Sequence, residues 1–100
     1  LPCAMIVGTC LIELDLPGIS SLKQKRSCLK SLIAQVHKKF HVSAAEIDLH
    51  DVWQSSTLGV AVVSNGSVHA ERVLESVVRW IEDNRPDVLI IDYHVESIHC

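Results

Sequence analysis

Lys23, Lys25, Arg26 and Lys30 lie close together, followed by His37, Lys38 and Lys39, and no Asp or Glu interrupts the run. The stretch holds six of the nine Lys and Arg of a 100-residue chain and none of its twelve Asp and Glu. A net charge of −3 therefore conceals a +6 segment set against three cations and twelve acids elsewhere, or −9. Segregated charge of this kind bears on partners rather than on fold. The chemistry it suits is anion binding. A cation in the first turn of a helix is unfavourable by about 0.3–1 kcal/mol, and free backbone N–H groups at such a terminus attract phosphates. At 100° per residue, Lys23, Arg26, Lys30 and His37 fall on one flank of the apolar stripe and Lys25 on the other. A row of cations along a ridge matches a nucleic-acid backbone. Lys23, Lys25, Arg26, Lys30 and His37 are accordingly the candidate RNA- or anion-binding residues. The competing reading is a solvated helix face whose long side chains lie over the core edge, with Arg26 partly buried against an acid.

Two acidic triplets, Glu46/Asp48/His50 and Asp92/His94/Glu96, place alternate residues on one strand face, where two side chains can grip a metal. The two strands are expected at opposite sheet edges, about 14 Å apart, so one ion cannot join them. Wet edge strands are the expectation, and no metal site or cofactor is assigned. The cysteines, Cys3, Cys10, Cys28 and Cys100, lack zinc or redox spacing. They read as free thiols of a reducing cytoplasm. A bridge from Cys3 to Cys10 or Cys100 has no sequence support. The six histidines are scattered without a metal or catalytic spacing. The loop Asp15–Ser20 has neither a cation nor a glycine cradle. No catalytic residue is assigned, and an enzyme is not expected.

The elements that must position these residues follow from periodicity. Hydrophobic residues at 48% and charged ones at 21% suit a single globular domain over residues 1–100. No apolar run approaches the length of a membrane span, and the first residues lack the features of a secretory signal. Met5–Leu14 reads as a strand apolar on both faces, with Ile6, Cys10, Ile12 and Leu14 on one of them. Ser21–Phe40 reads as a helix opened by a capping box, Ser21-Leu22-Lys23-Gln24. Val42–Trp53 reads as a strand with Ala45, Ile47 and Leu49 buried and Glu46, Asp48 and His50 wet. Gln54-Ser55-Ser56 is the turn into a strand over Thr57–Ser64. A second amphipathic helix follows over Ser67–Asn84, and a last strand over Val88–Glu96 has Leu89, Ile91, Tyr93 and Val95 on its inner face. The order β-α-β-β-α-β with right-handed crossovers predicts a ferredoxin-like plait: a four-stranded antiparallel sheet of order 4-1-3-2 with both helices on one face.

Three stretches carry a family resemblance: Met5-Ile6-Val7-Gly8; Ser21-Leu22-Lys23-Gln24-Lys25-Arg26; and Val42-Ser43-Ala44-Ala45-Glu46-Ile47-Asp48 with Asp51-Val52-Trp53-Gln54. Together they are similar to the YlxP-like family of small bacterial proteins, over about Met5 to Val95. Ala44 and Val52 stand where Val and Leu are usual. Residues 1–4 precede the family's usual start and read as an extension or cloning remnant. The resemblance implies the plait and no known activity. Genes of the family commonly lie among those for translation initiation and ribosome maturation factors. It thus implies ribosomal RNA or ribosomal subunits as partners.

The plait leaves one sheet face open. Val7, Leu11, Val88 and Ile90 are expected on it, and apolar residues there favour a homo-oligomer or another protein partner. Trp53 is expected either to pack beneath a helix or to present its ring to a partner or a base. The open sheet carries no stacking aromatics of the RNA-recognition-motif kind, which leaves the helix ridge as the RNA-binding surface.

Overall fold

Alternation from Ile6 onward sends every second side chain into a core, and in the computed structural model, which describes residues 4–100, that run forms β1 (Ile6–Asp15). It is followed by α1 (Leu22–Phe40), β2 (Ser43–Asp48), β3 (Ser55–Ser64), α2 (Ser67–Asn84) and β4 (Leu89–His99). The sheet order is β2-β3-β1-β4, the expected 4-1-3-2 order read from the other edge, and all three pairings are antiparallel. Cys10, Ile12 and Leu14 of β1 pack with Leu58 and Val60 of β3, Leu29, Leu32 and Val36 of α1, and Leu74, Val77 and Ile81 of α2. Cys3 lies outside the described residues. Cys10, Cys28 and Cys100 are free thiols.

The start of α1 is capped by side chains. Ser21 Oγ accepts from Gln24 N at 3.1 Å, as the capping box requires. The returning bond goes one residue further back, where Gln24 Oε1 accepts from Ser20 N at 2.8 Å and Ser20 Oγ at 2.9 Å. At the other end His41 turns left-handed (φ 54°) and its N–H closes on His37 O.

Three expectations need correction. The second strand ends at Asp48, not Trp53. Asp48 Oδ1 accepts from Leu49 N at 2.7 Å, and Leu49 adopts a left-handed φ of 64°, which turns the chain out of the sheet. Leu49–Gln54 is the loop, and Ser55 and Ser56 belong to β3. The faces of β2 are also exchanged. Glu46 pairs with Leu58 and points to the helix side, whereas Ile47 sits in a register shift on the open side, half exposed. Last, β4 carries a bulge: Glu13 pairs with Asp92 but Leu14 with Ile90, leaving Ile91 as the extra residue. One added residue reverses facing. Ile90 therefore joins the helix side beside Leu14 and packs on the core. Val88 precedes the strand and is buried. Neither Val88 nor Ile90 belongs to the open face.

Candidate nucleic-acid interface

Lys25 does not reach solvent. Its side chain is 1% exposed, and its ammonium meets three acceptors: Leu49 O at 2.5 Å, Val52 O at 2.6 Å and Glu46 Oε2 at 2.9 Å. An ammonium has three donors, so all three are used. Ser56 Oγ donates to the same Glu46 oxygen at 2.6 Å. Burial works to raise the Glu46 pKa, but the hydrogen bonds from Ser56 and Lys25 and the Lys25 charge together lower it below the ordinary carboxylate value. Lys25 is thus removed from the candidate anion site. Its spacing explains why: Lys25, Leu29, Leu32 and Val36 lie at helical intervals on one face, and all four are the buried residues of α1. That spacing was the signal by which the sequence could have placed it inside.

The remaining candidates divide. Lys23, Arg26 and Lys30 are exposed, and among the described residues none forms an ion pair. Lys38 is exposed on the same outward side of the helix. His37 is exposed but engaged, since its Nε2 accepts from Ala44 N at 3.0 Å and ties α1 to β2. The ridge therefore consists of Lys23, Arg26, Lys30 and Lys38, without Lys25 and His37.

Trp53 is 51% exposed and does not pack beneath a helix. The residues beside it are fixed. Val52 O receives Lys25 Nζ, Leu16 N donates to Gln54 O at 2.9 Å, and Gln54 Nε2 donates to Ile19 O at 3.0 Å. The loop is thereby fastened to the chain entering α1, at the end that carries Lys23 and Arg26.

On the open face, Leu11 is half exposed, Val7 less so, and Ile47, Val63, Leu89 and Ile98 are exposed as well. Between them lies a shallow depression of about 360 Å³ lined by Thr9, Leu11, Ala45, Ile47, Gly59 and Ala61. The Ile47 side chain lies directly over Gly59. A Cβ there would fall 2.6 Å from Ile47 Cγ1. Asp92, His94 and Glu96 line the β4 edge of this face, with His94 Nε2 3.0 Å from Glu96 Oε1. Glu46 is committed to Lys25 and Ser56, so the β2 triplet does not act as a unit. Among the described residues no three His, Cys, Asp or Glu converge as metal ligands.

One further cluster was not legible beforehand. Arg85 grips Asp87 with two bonds of 2.9 and 2.8 Å and donates to Gln35 Oε1 at 2.9 Å, which joins the end of α2 to α1. The Arg85 hydrogen bonds bring Asp87 down to about 2 against the opposing effect of burial. Cys28, beside Asp87, has its thiol pKa raised by burial, and Cys10 is raised by burial to about 11. Neither thiol is activated as a nucleophile.

Residues 7–95 match the profile of a protein family described as "Protein of unknown function (DUF503)". The chain is 36% identical over 83 residues to the uncharacterized protein YlxP of Bacillus subtilis (strain 168), covering 83% of this chain and 89% of that protein. Among solved structures, it is similar to the de novo designed protein Foldit4, with a TM-score of 0.50 and 14% identity over 96% of this chain and 98% of that one. At that identity the likeness is one of fold alone. A C-terminal segment of the alpha subunit of aIF2 from Pyrococcus abyssi has a TM-score of 0.46 and 14% identity, over 96% of this chain and 51% of that one. That score is too low to carry an argument.

Proposed function

This chain belongs to the DUF503 family of proteins of unknown function, and from that premise we propose that it is a non-catalytic module that binds the phosphate backbone of RNA along α1. One observation carries the reading: Lys23, Arg26 and Lys30 stand exposed on a helix without a single acid, unpaired among the described residues. Lys23 to Lys30 spans about 10 Å along the helix axis and Lys38 extends the row to about 22 Å, enough to follow several consecutive phosphates. A helix whose surface charges served solubility alone would mix signs and place acids in its first turn; the first turn of α1 has none. The ribosome-linked role implied by the family resemblance makes ribosomal RNA and its precursors the first ligands to try. No helix of the described residues is long and apolar enough to cross a membrane.

Three to four phosphate contacts release counterions in proportion, so affinity for ribosomal RNA falls about 20- to 100-fold between about 50 and 200 mM salt. The Lys23→Glu, Arg26→Glu double variant, whose substitutions sit on solvent-exposed positions, loses binding while keeping its melting temperature. Equal binding by this variant, or no binding at about 50 mM salt, sinks the reading.

A second reading rests on a different observation, the apolar depression on the open sheet face. We infer for it a second copy of this chain as occupant. Its residues face away from the helices, so the two readings are compatible.

A further inference from the structure

Of the four aromatic residues, three have partners. Phe40 and Trp80 meet edge to face with ring centroids 6.3 Å apart, and Tyr93 Oη donates to Glu75 Oε2 at 2.8 Å. Trp53 has none among the described residues and is half exposed in a loop that is otherwise tied down. The loop is held at Leu49 and Val52 by Lys25 and at Gln54 by Leu16 and Ile19, with Val52 N closing on Leu49 O at 3.0 Å. Its backbone is fixed by a buried charge, and its large ring is left in water.

We propose that Trp53 is a stacking platform for an unpaired base of single-stranded RNA whose flanking phosphates lie on Lys23 and Arg26. The proposal deepens the RNA reading and rests on it. Base stacking needs a flat ring exposed on at least one face, a backbone that does not collapse over it, and cations within a nucleotide or two. The loop meets the first through the exposure of Trp53 and the second through its anchors. Towards the third, Lys25 Nζ on Val52 O and Gln54 Nε2 on Ile19 O tie the loop to the N-terminal end of α1, the end that carries Lys23 and Arg26. An apolar protein anchor would also use a tryptophan, but it has no use for exposed cations, unpaired among the described residues, at the same end of the helix. Duplex RNA presents no open base face, so the site selects single strands.

The test uses the Trp80→Phe chain, in which Trp53 is the sole tryptophan, titrated with an unstructured RNA octamer and with a blunt duplex of the same length at about 50 mM salt. Quenching of Trp53 fluorescence by the octamer and several-fold weaker binding of the duplex are expected. Replacing Trp53 by Ala weakens octamer binding about tenfold without changing its salt slope, and replacing it by Phe restores most of the loss. If Trp53→Ala binds the octamer as tightly as wild type while Lys23→Glu, Arg26→Glu does not bind, stacking is wrong and the ridge stands. If wild type binds neither RNA, both readings fall, and Trp53 becomes an anchor for a protein partner.

Discussion

Lys25 sits where a leucine would ordinarily be, and the cost of putting an ammonium there is offset only because every proton has an acceptor. Removing the charge without the acceptors leaves two loop carbonyls unpaired and Glu46 without its counter-ion. Lys25→Met is therefore expected to destabilise the fold by about 3–5 kcal/mol, whereas Arg26→Ala, one residue along and exposed, changes stability by no more than about 0.5 kcal/mol. Urea unfolding of the two variants separates them; equal midpoints would refute the assignment of Lys25 to the interior. The same region and the Arg85–Asp87 clasp set the acid limit. Glu46 and Asp87 both ionise at lower pH in the folded chain than in the unfolded one, Asp87 at about 2. A depressed carboxylate stabilises the fold above its unfolded pKa, and that contribution is lost as pH falls through the folded value. Melting temperature is accordingly expected to drop between about pH 4.5 and 2, less steeply in Asp87→Asn. At this scale the sequence was legible in type but not in place. At sequence level Lys25 is set on the other flank of the stripe yet kept among the anion-binding residues, although its interval to Leu29, Leu32 and Val36 places it within the stripe. The acceptors, two backbone carbonyls of a distant loop and a carboxylate that faces inward, leave no periodic trace.

Among the elements, both helices and β1 were readable because each shows an unbroken period and a chemical stop: Ser21 at one end of α1, Arg85-Pro86 after α2, Pro17-Gly18 after β1. The errors gather where one residue is inserted. The bulge at Ile91 and the shift at Ile47 each move a side chain to the opposite face, and nothing in the local composition announces either. Such insertions are set by pairing with the neighbouring strand, which lies far away in sequence. The same neighbours explain a glycine inside β1. Ala70 Cβ and Leu74 Cδ1 of α2 lie 3.0 Å from where a Cβ on Gly8 would be. The helix rests directly on the strand backbone. Gly8→Ala should therefore push α2 away and cost about 1–3 kcal/mol, while Gly18→Ala, with nothing within 4 Å of its added carbon, leaves the unfolding midpoint within about 0.5 kcal/mol of wild type. A neutral Gly8→Ala would mean that α2 does not seat there as described.

At the scale of the whole molecule, charge and hydrophobicity occupy different sides. The cations project from α1 on the helix side, and the exposed apolar residues Leu11, Ile47, Val63, Leu89 and Ile98 belong to the sheet's other face. Four strands about 4.8 Å apart and about 30 Å long offer roughly 500–600 Å², so two such faces together bury about 1,000–1,200 Å², near the lower limit for a specific interface. A dimer on this face is therefore a weak one. Its orientation is constrained by charge. Glu13, Asp92 and Glu96 lie on the β1–β4 half of the face, while the β2–β3 half carries Asp48 at the end of β2 beside the uncharged Ser43, Ala45, Ile47 and Ala61. A two-fold axis perpendicular to the strands sets Glu13, Asp92 and Glu96 against themselves; one parallel to the strands lays that half of each copy over the less acidic half of the other. In that arrangement Ile47, which covers Gly59, is buried beside the depression, and the two basic helices point outward from opposite sides. The expected mass by light scattering rises from monomer toward dimer between about 5 and 500 µM, more readily at high salt, because screening relieves the acids. Ile47→Lys keeps the fold, since the residue is half exposed on an edge strand, and holds the chain monomeric throughout the range. A wild-type mass that stays at the monomer value at 500 µM removes the second copy as the occupant of this face. A dimer that persists in Ile47→Lys places the contact elsewhere. Where the dimer does form through Ile47, it presents two separated ridges of Lys23, Arg26 and Lys30, so avidity for one long RNA should exceed that of the Ile47→Lys monomer while binding to an octamer stays the same.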